Sequence, residues 1–557
     1  MKSAFRCCLF ITLLFLARPL LAEKFDEKFE HWPVDLKING TIIAANALDD
    51  TSDVDAHFLQ ASGGKDARIV GLFWKMIDED QLDSLRQTFE MAAAAEFVTV
   101  DPDTAKIPDE FLGKLKDATG VMMFSGDVLH DNARQQTGAL RETLLDILRR
   151  GGAIYTNGAV TRLLSRVEIT GGKRLAQVAE GLGLVPDSVI EISFSDRDDT
   201  MRLKSVLVSH PRTVGIGIEA NTAVILTGRR LRVLGDGQVT VMIAANERQP
   251  FREQKIAKKS SARQVIDLTQ WRREAIDRTI EPFPPSKPNE PFVENGTLII
   301  VGGGGMPKGL MDRFVELAGG VDKARLVYVP CSERDTLSDQ QRTVQAWQRM
   351  GVKHATFIHT KDRIKANSDQ EFLAPLKDAT GIWFGGGRQW NFADSYYGTK
   401  AHELMKDVVR RGGVVGGSSA GASIQARYLA RATPIENFDI MAPGYERGGL
   451  GFISGVAIDQ HFSQRGRQKD MTQLVNRYPQ ILGIGLDEAT AIIVRGSKAD
   501  VVGRGKVHFY DRNLPVFPDR PDYIALPAGS QYDLAARKTI KDTSEKKKPS
   551  APAAEKE

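Results

Sequence analysis

The chain writes one pattern twice. "LKDATGVMMFSGD" from Leu115 returns as "LKDATGIWFGGGR" from Leu376, and "RRGGAIYTNGA" from Arg149 returns as "RRGGVVGGSSA" from Arg410. Further on, "GLGLVPDSVIEISFSDR" from Gly181 answers "GLGFISGVAIDQHFSQR" from Gly449, and "GIGIEANTAVILTG" from Gly215 answers "GIGLDEATAIIVRG" from Gly483. The beginnings correspond too, "NGTII" at Asn39 with "NGTLII" at Asn295. The offset stays near 260 residues (376 − 115 = 261; 449 − 181 = 268). That is far beyond the roughly 20–50 residues of a solenoid unit, so the repeat reads as a duplicated domain. The length agrees: 557 residues are too many for one core, since domains run to about 100–200 residues.

Within each copy, short apolar runs alternate with amphipathic stretches. "GTLIIVGGG", "ARLVYVP", "ATGIWFGGG" and "GGVVGGSSAG" read as buried strands, whereas "DQQRTVQAWQRMG" and "KAHELMKDVVRRGG" carry helical spacing. Continuously apolar strands separated by helices indicate a parallel sheet covered on both faces. The expected fold is therefore α/β, two tandem doubly wound parallel-sheet domains, with chemistry beyond the carboxyl ends of the strands. The expected boundaries are a first copy at 35–247, a Pro- and Lys-rich linker at 248–293, a second copy at 294–535 and a charged, disordered tail at 536–557. Residues 1–22 have a basic start, an apolar run and a small residue at Ala22, the pattern of a cleaved secretory signal. The mature protein is then expected to be exported, periplasmic or extracellular, and free of the membrane.

Composition removes other classes. A formal net charge of +4 gives no reason to expect nucleic acid as a partner. Of three cysteines, Cys7 and Cys8 leave with the signal, so Cys331 has no partner for an internal disulfide and reads as a small buried hydrophobe. No metal is expected: there is no His-Glu-x-x-His, and "DDTSDVDAH" lacks the glycine of a calcium loop. The glycine run "VGGGGMPKG" from Val301 follows a strand, but no Gly-Lys-Ser/Thr and no ribose-binding acid accompany it. No cofactor is expected either.

The two copies differ where reactive side chains could stand. Ser419 falls opposite Gly158, His461 opposite Ser193, Glu488 opposite Ala220 and Gln389 opposite Val128, while the surrounding words persist. Gly417-Ser418-Ser419-Ala420-Gly421 meets G-x-S-x-G at a strand-to-helix turn, a place where a serine hydroxyl projects and helix-start N–H groups can hold an oxyanion. A serine nucleophile needs a base and an orienting carboxylate. His461 and Glu488 follow in that order, and all three are absent together from the first copy.

"GGSSAGAS", "DQHFSQRGR" and "GIGLDEATAIIV", in this order and spacing, resemble the cyanophycinase group of serine peptidases, family S51, which have the class I glutamine amidotransferase-like fold. The resemblance covers about 295–533, with a faded copy over about 39–245. It implies Ser419 as nucleophile, His461 as base and Glu488 as its partner, with Gln389, Asp459, Arg465 and Arg467 binding substrate. N–H groups of Ala420 and of the Gly386–Gly387 turn are the expected oxyanion donors. The implied substrate is a polyaspartate bearing arginines in isopeptide linkage. One departure is Arg388, which stands where the group tends to have aspartate, so a cationic substrate would lose an attractive group. Two alternatives stay open: an α- or iso-aspartyl dipeptidase, and a non-catalytic binding protein on the same fold. The inactive first copy is expected to pack on the second as an intramolecular pseudo-dimer.

Overall fold

The computed structural model describes residues 38–101, 106–257, 265–434 and 439–541. The segment read as a signal, 1–22, lies outside them. Among the described residues, no helix is long and apolar enough to cross a membrane.

Each half is built on a large mixed sheet. Across the second half's sheet the strands run His354–Phe357, Arg325–Val329, Gly381–Phe384, Val414–Ser418, Val293–Val301, Thr490–Gly496, Lys498–Gly503, Gln531–Asp533 and Lys538–Lys541. The first five are mutually parallel, and pairing turns antiparallel at Thr490–Gly496. The first half has Ala94–Thr99, Arg68–Trp74, Gly120–Ser125, Ala153–Asn157, Ile38–Asn46, Thr222–Gly228, Arg230–Gly235 and Ile266–Asp267, the same order with the same switch of direction. The apolar runs are explained by burial on both faces: Leu298 and Ile300 enter one core while Ile299 and Val301 enter the other. A smaller sheet flanks each large one. In the second half it consists of Ala426–Tyr428, Ile453–Gln460, Leu482–Leu486, Lys506–Tyr510 and Ile524–Pro527.

Two expected boundaries differ from the structure. The stretch 248–293 holds a strand, Arg252–Ala257, paired with Gln238–Ile243, and a buried helix, Leu268–Asp277. The strand is an edge strand with alternating exposure, so its polar residues resemble a linker in composition. The helix hides its charges by pairing them: Arg272 reaches Asp187 at 2.7 Å, and Arg273 reaches Asp394 of the second half at 2.5 Å. At the other end, Lys538–Lys541 adds an exposed edge strand to Gln531–Asp533, so the described part of the expected tail is ordered.

The halves touch through buried charge. Asp394 accepts from both Arg229 and Arg273, and Arg229 also holds Asp267 at 2.9 Å and lies 4.8 Å over the Trp390 ring. Burial alone would raise the Asp394 carboxyl, but these two guanidinium groups hold it well below the usual carboxylate range. Gln270 donates to the Pro443 carbonyl at 3.1 Å, and Arg447 pairs with Asp277 at 3.1 Å.

Candidate active site

Five loops meet beyond the carboxyl ends of neighbouring strands in the second half. They follow Val293–Val301, Gly381–Phe384, Val414–Ser418, Ile453–Gln460 and Leu482–Leu486. Ser419 closes the third of these strands with φ +57° and ψ −115°, and the short helix Ala420–Ser423 starts immediately after it. A positive φ in a non-glycine residue costs of order 1–3 kcal/mol and persists only where its surroundings enforce it. Here the small residues do so. A Cβ on Gly417 would stand 2.2 Å from the Gly421 carbonyl oxygen, and one on Gly421 would stand 2.1 Å from that of Phe384. The turn can close because both positions lack a side chain. The Ser419 N–H donates to the Val301 carbonyl at 3.0 Å, and the Gln425 amide ties Gly421 to Ile299 at 2.9 and 3.2 Å.

His461 also has a positive φ, +50°, and is buried. Its Nε2 lies 3.0 Å from the Ser419 Oγ, and its Nδ1 lies 2.6 Å from Oε1 of Glu488. The three side chains thus form one hydrogen-bonded line from a half-exposed carboxylate to the serine hydroxyl. Gly386 flanks the serine: a Cβ built on it would be 3.6 Å from the Ser419 Cβ. Ala420 takes the first helical position, where the N–H has no intrahelical acceptor.

The residues expected to bind substrate fall into two groups. Arg465 is exposed, and its N–H donates to the His461 carbonyl at 3.0 Å. The others are buried and occupied. Asp459 accepts from Arg467 at 2.7 Å and from Arg431 at 2.8 Å. Arg467 also donates to the Gln460 carbonyl at 2.7 Å. The Gln389 amide donates to backbone, to the carbonyls of Ala430 and Arg431 at 2.8 and 2.7 Å. Arg388 donates to the Thr433 carbonyl at 2.6 Å. Cys331, half-buried beside Gly387, donates to the Arg388 carbonyl; burial pushes its thiol up to about 12, so it remains protonated at neutral pH.

Two supporting features escaped the sequence reading. The glycine run after Val301 packs on the reactive side chains: a Cβ on Gly303 would fall 2.4 Å from the His461 ring, and one on Gly304 would fall 2.2 Å from the Glu488 carboxyl carbon. Its signal was visible as four successive glycines after a strand, but that pattern also suits a phosphate cradle. The second feature is Asp487. Burial would raise its carboxyl, but hydrogen bonds from the His508 ring at 3.2 Å, the Ser463 side chain and the Lys506 N–H at 3.0 Å bring it down to about 2. It thereby fixes the turn carrying Glu488, whose own N–H donates to Gln464 at 2.9 Å.

The matching place in the first half is filled. Gly158 stands at the serine position with φ +86°, and a Cβ there would lie 2.1 Å from the Ser125 carbonyl oxygen. The Ala159 N–H, opposite Ala420, donates to the Gly126 carbonyl at 2.9 Å, and the Val160 N–H donates to the Ser125 hydroxyl at 2.9 Å. Ser193, opposite His461, keeps the positive φ at +53°. The backbone turns persist, but the space and the donors are used up.

Fold and side chains together define a serine-type hydrolase on a mixed α/β scaffold. The chain belongs to peptidase family S51, whose model matches residues 297–502. It is 30% identical over 206 residues to the cyanophycinase of Geminocystis herdmanii, covering 37% of this chain and 75% of that one. The cyanophycinase of Trichormus variabilis is 29% identical over 199 residues, with 34% of this chain and 65% of that one covered. Among solved structures, a peptidase from an acI-B1 Actinobacterium aligns over 44% of this chain and 98% of its own, at 22% identity and a TM-score of 0.32.

Proposed function

We propose that this protein is an exported serine exopeptidase that hydrolyses aspartyl peptide or isopeptide linkages, as the cyanophycinase name of its relatives suggests, through Ser419, His461 and Glu488. The observation that carries this reading is the unbroken line Glu488–His461–Ser419, at 2.6 and 3.0 Å. In it, His461 takes the proton of Ser419 as the hydroxyl attacks the carbonyl carbon, then delivers it to the leaving amine. Glu488 orients the ring through Nδ1 and stabilises the imidazolium. The Ala420 N–H and the Gly386–Gly387 turn are the donors for the oxyanion; loss of one such donor typically costs about 3–4 kcal/mol in the transition state.

The substrate class rests on Arg465, which is exposed next to His461 and suited to clamp a substrate carboxylate with two parallel bonds. Lysine cannot reproduce that geometry, so Arg465→Lys should raise KM for aspartyl substrates about tenfold, the loss of roughly 1.4 kcal/mol of binding. The test is to assay wild type and variant on arginine-bearing polyaspartate and on β- and α-aspartyl dipeptides. Cleavage of dipeptides with the polymer untouched replaces the polymer reading by a dipeptidase. No cleavage of any of them sinks the proposal, and unchanged kinetics in the variant remove Arg465 from it.

We also infer that the first half is a degenerate copy serving as a built-in partner for the second, in an intramolecular pseudo-dimer. The support is the buried Asp394, which would be left without its two arginine partners if the first half were removed; breaking a buried pair this way costs about 3–5 kcal/mol. Expressed alone, Glu294–Asp533 should be poorly soluble or inactive. A soluble, monomeric fragment as active as the full chain on every substrate overturns this role.

A further inference from the structure

A cleft of about 750 Å³ opens between the halves, and Arg465, whose backbone N–H bonds the His461 carbonyl, lines it. Its lining mixes the two halves: Arg252 and Gln270 stand on one side, with Arg431, Arg465, Asp470 and Gln473 on the other. Two contacts tie it to the site, the Arg465 N–H on the His461 carbonyl and the Gln389 amide on the Arg431 carbonyl. The volume is at the upper end of what a drug-sized ligand fills, roughly 300–1,000 Å³, and more than one aspartyl dipeptide needs.

The chemistry of the walls is specific. Arg252 is one-third exposed, stacked 4.1 Å from the Trp271 ring centre and paired with Glu274, so its guanidinium is held in place at the rim. Arg465 is exposed on the facing side, and the Asp470 side chain is 45% exposed while still bonded to Arg431 at 2.8 Å. Accessible groups of both signs therefore stand within one trough. A plain polyanion would meet Asp470, and a plain polycation would meet the arginines. A chain carrying carboxylates and guanidinium groups at short intervals satisfies both.

We infer that this cleft is an extended binding site for the substrate chain beyond the bond being cut, and that Arg252 of the first half is a specificity-determining residue within it. The first half then does more than pack: it supplies one wall of the trough and so selects longer substrates over single units. This rests on the aspartyl peptidase reading of the Ser419 site.

The test compares KM for a dimer of β-aspartyl-arginine units, the shortest chain with a bond between units to cut, with KM for a four-unit oligomer. Wild type should bind the oligomer more tightly, and Arg252→Gln should shrink that preference at least about threefold, a rim-charge effect, with Arg252→Lys recovering part of it. Arg230→Gln is the control. Arg230 is exposed and approaches Glu333 across the halves at 4.0 Å, away from the cleft, so it should leave the preference as it is. If Arg252→Gln does not fold, Gln473→Trp, exposed on the facing wall, narrows the same trough and should lower the same ratio. A preference unchanged in the folded cleft variant, or reduced equally by Arg230→Gln, overturns the inference while leaving the peptidase reading intact. A wild type that cleaves neither substrate overturns the peptidase reading and this one with it.

Discussion

Ser419→Ala should lower kcat by about 10⁵-fold or more, the scale seen when the nucleophile of a serine peptidase is removed, while Ser418→Ala should keep most of the activity. The two hydroxyls are adjacent in the chain but not in their geometry. Ser418 is the last residue of its strand, pairing with Val301. Ser419 occupies the turn, and its Oγ lies 3.0 Å from His461. The measurement is steady-state kinetics, alongside labelling by a serine-reactive phosphonate detected by mass spectrometry. Label on Ser418, or equal loss of activity from both changes in folded protein, would move the nucleophile assignment.

Gly303→Ala should lower kcat by about 100-fold or more, the typical consequence of a reacting group displaced by about 1 Å. The added methyl would fall 2.4 Å from Cε1 and Nε2 of His461, inside any tolerated contact. The ring has little room to retreat, because its backbone is pinned by its N–H on the Gly302 carbonyl at 2.7 Å and its Nδ1 is engaged by Glu488. Some stability is lost as well, since φ at this position is +93°; a strained residue costs about 1–3 kcal/mol. Kinetics on protein shown to be folded by circular dichroism separates the two effects. Wild-type kcat in the folded variant would mean that the glycine run does not set the position of the imidazole.

Much of the second half's site was legible because it is written in local words. "GGSSAGAS" encodes a turn that only small residues can close, and the clash distances at Gly417 and Gly421 give the reason. Reading the two halves against each other singles out His461 and Glu488, since Ser193 and Ala220 stand opposite them in an otherwise matching register, and the folded chain brings both side chains into line with Ser419. Strand character was legible for a similar reason: residues buried on both faces leave an unbroken apolar run.

What the sequence could not decide depends on who pairs with whom across long separations. Arg273 and Asp394 are 121 residues apart, and each alone reads as a solvated charge; only the folded chain brings them to 2.5 Å and buries both. The stretch around Leu268–Asp277 therefore looked like linker while forming a core helix. Asp459 and Arg467 were legible as charges near His461, but their mutual pairing at 2.7 Å was not. The same holds for the first half. That Gly158 stands opposite Ser419 is plain in the sequence, but that the neighbouring Ala159 N–H is spent on the Gly126 carbonyl is a matter of backbone placement. Composition and period report what each residue prefers near its neighbours in the chain, whereas charge burial, cleft walls and pocket closure depend on distances that only the tertiary fold sets.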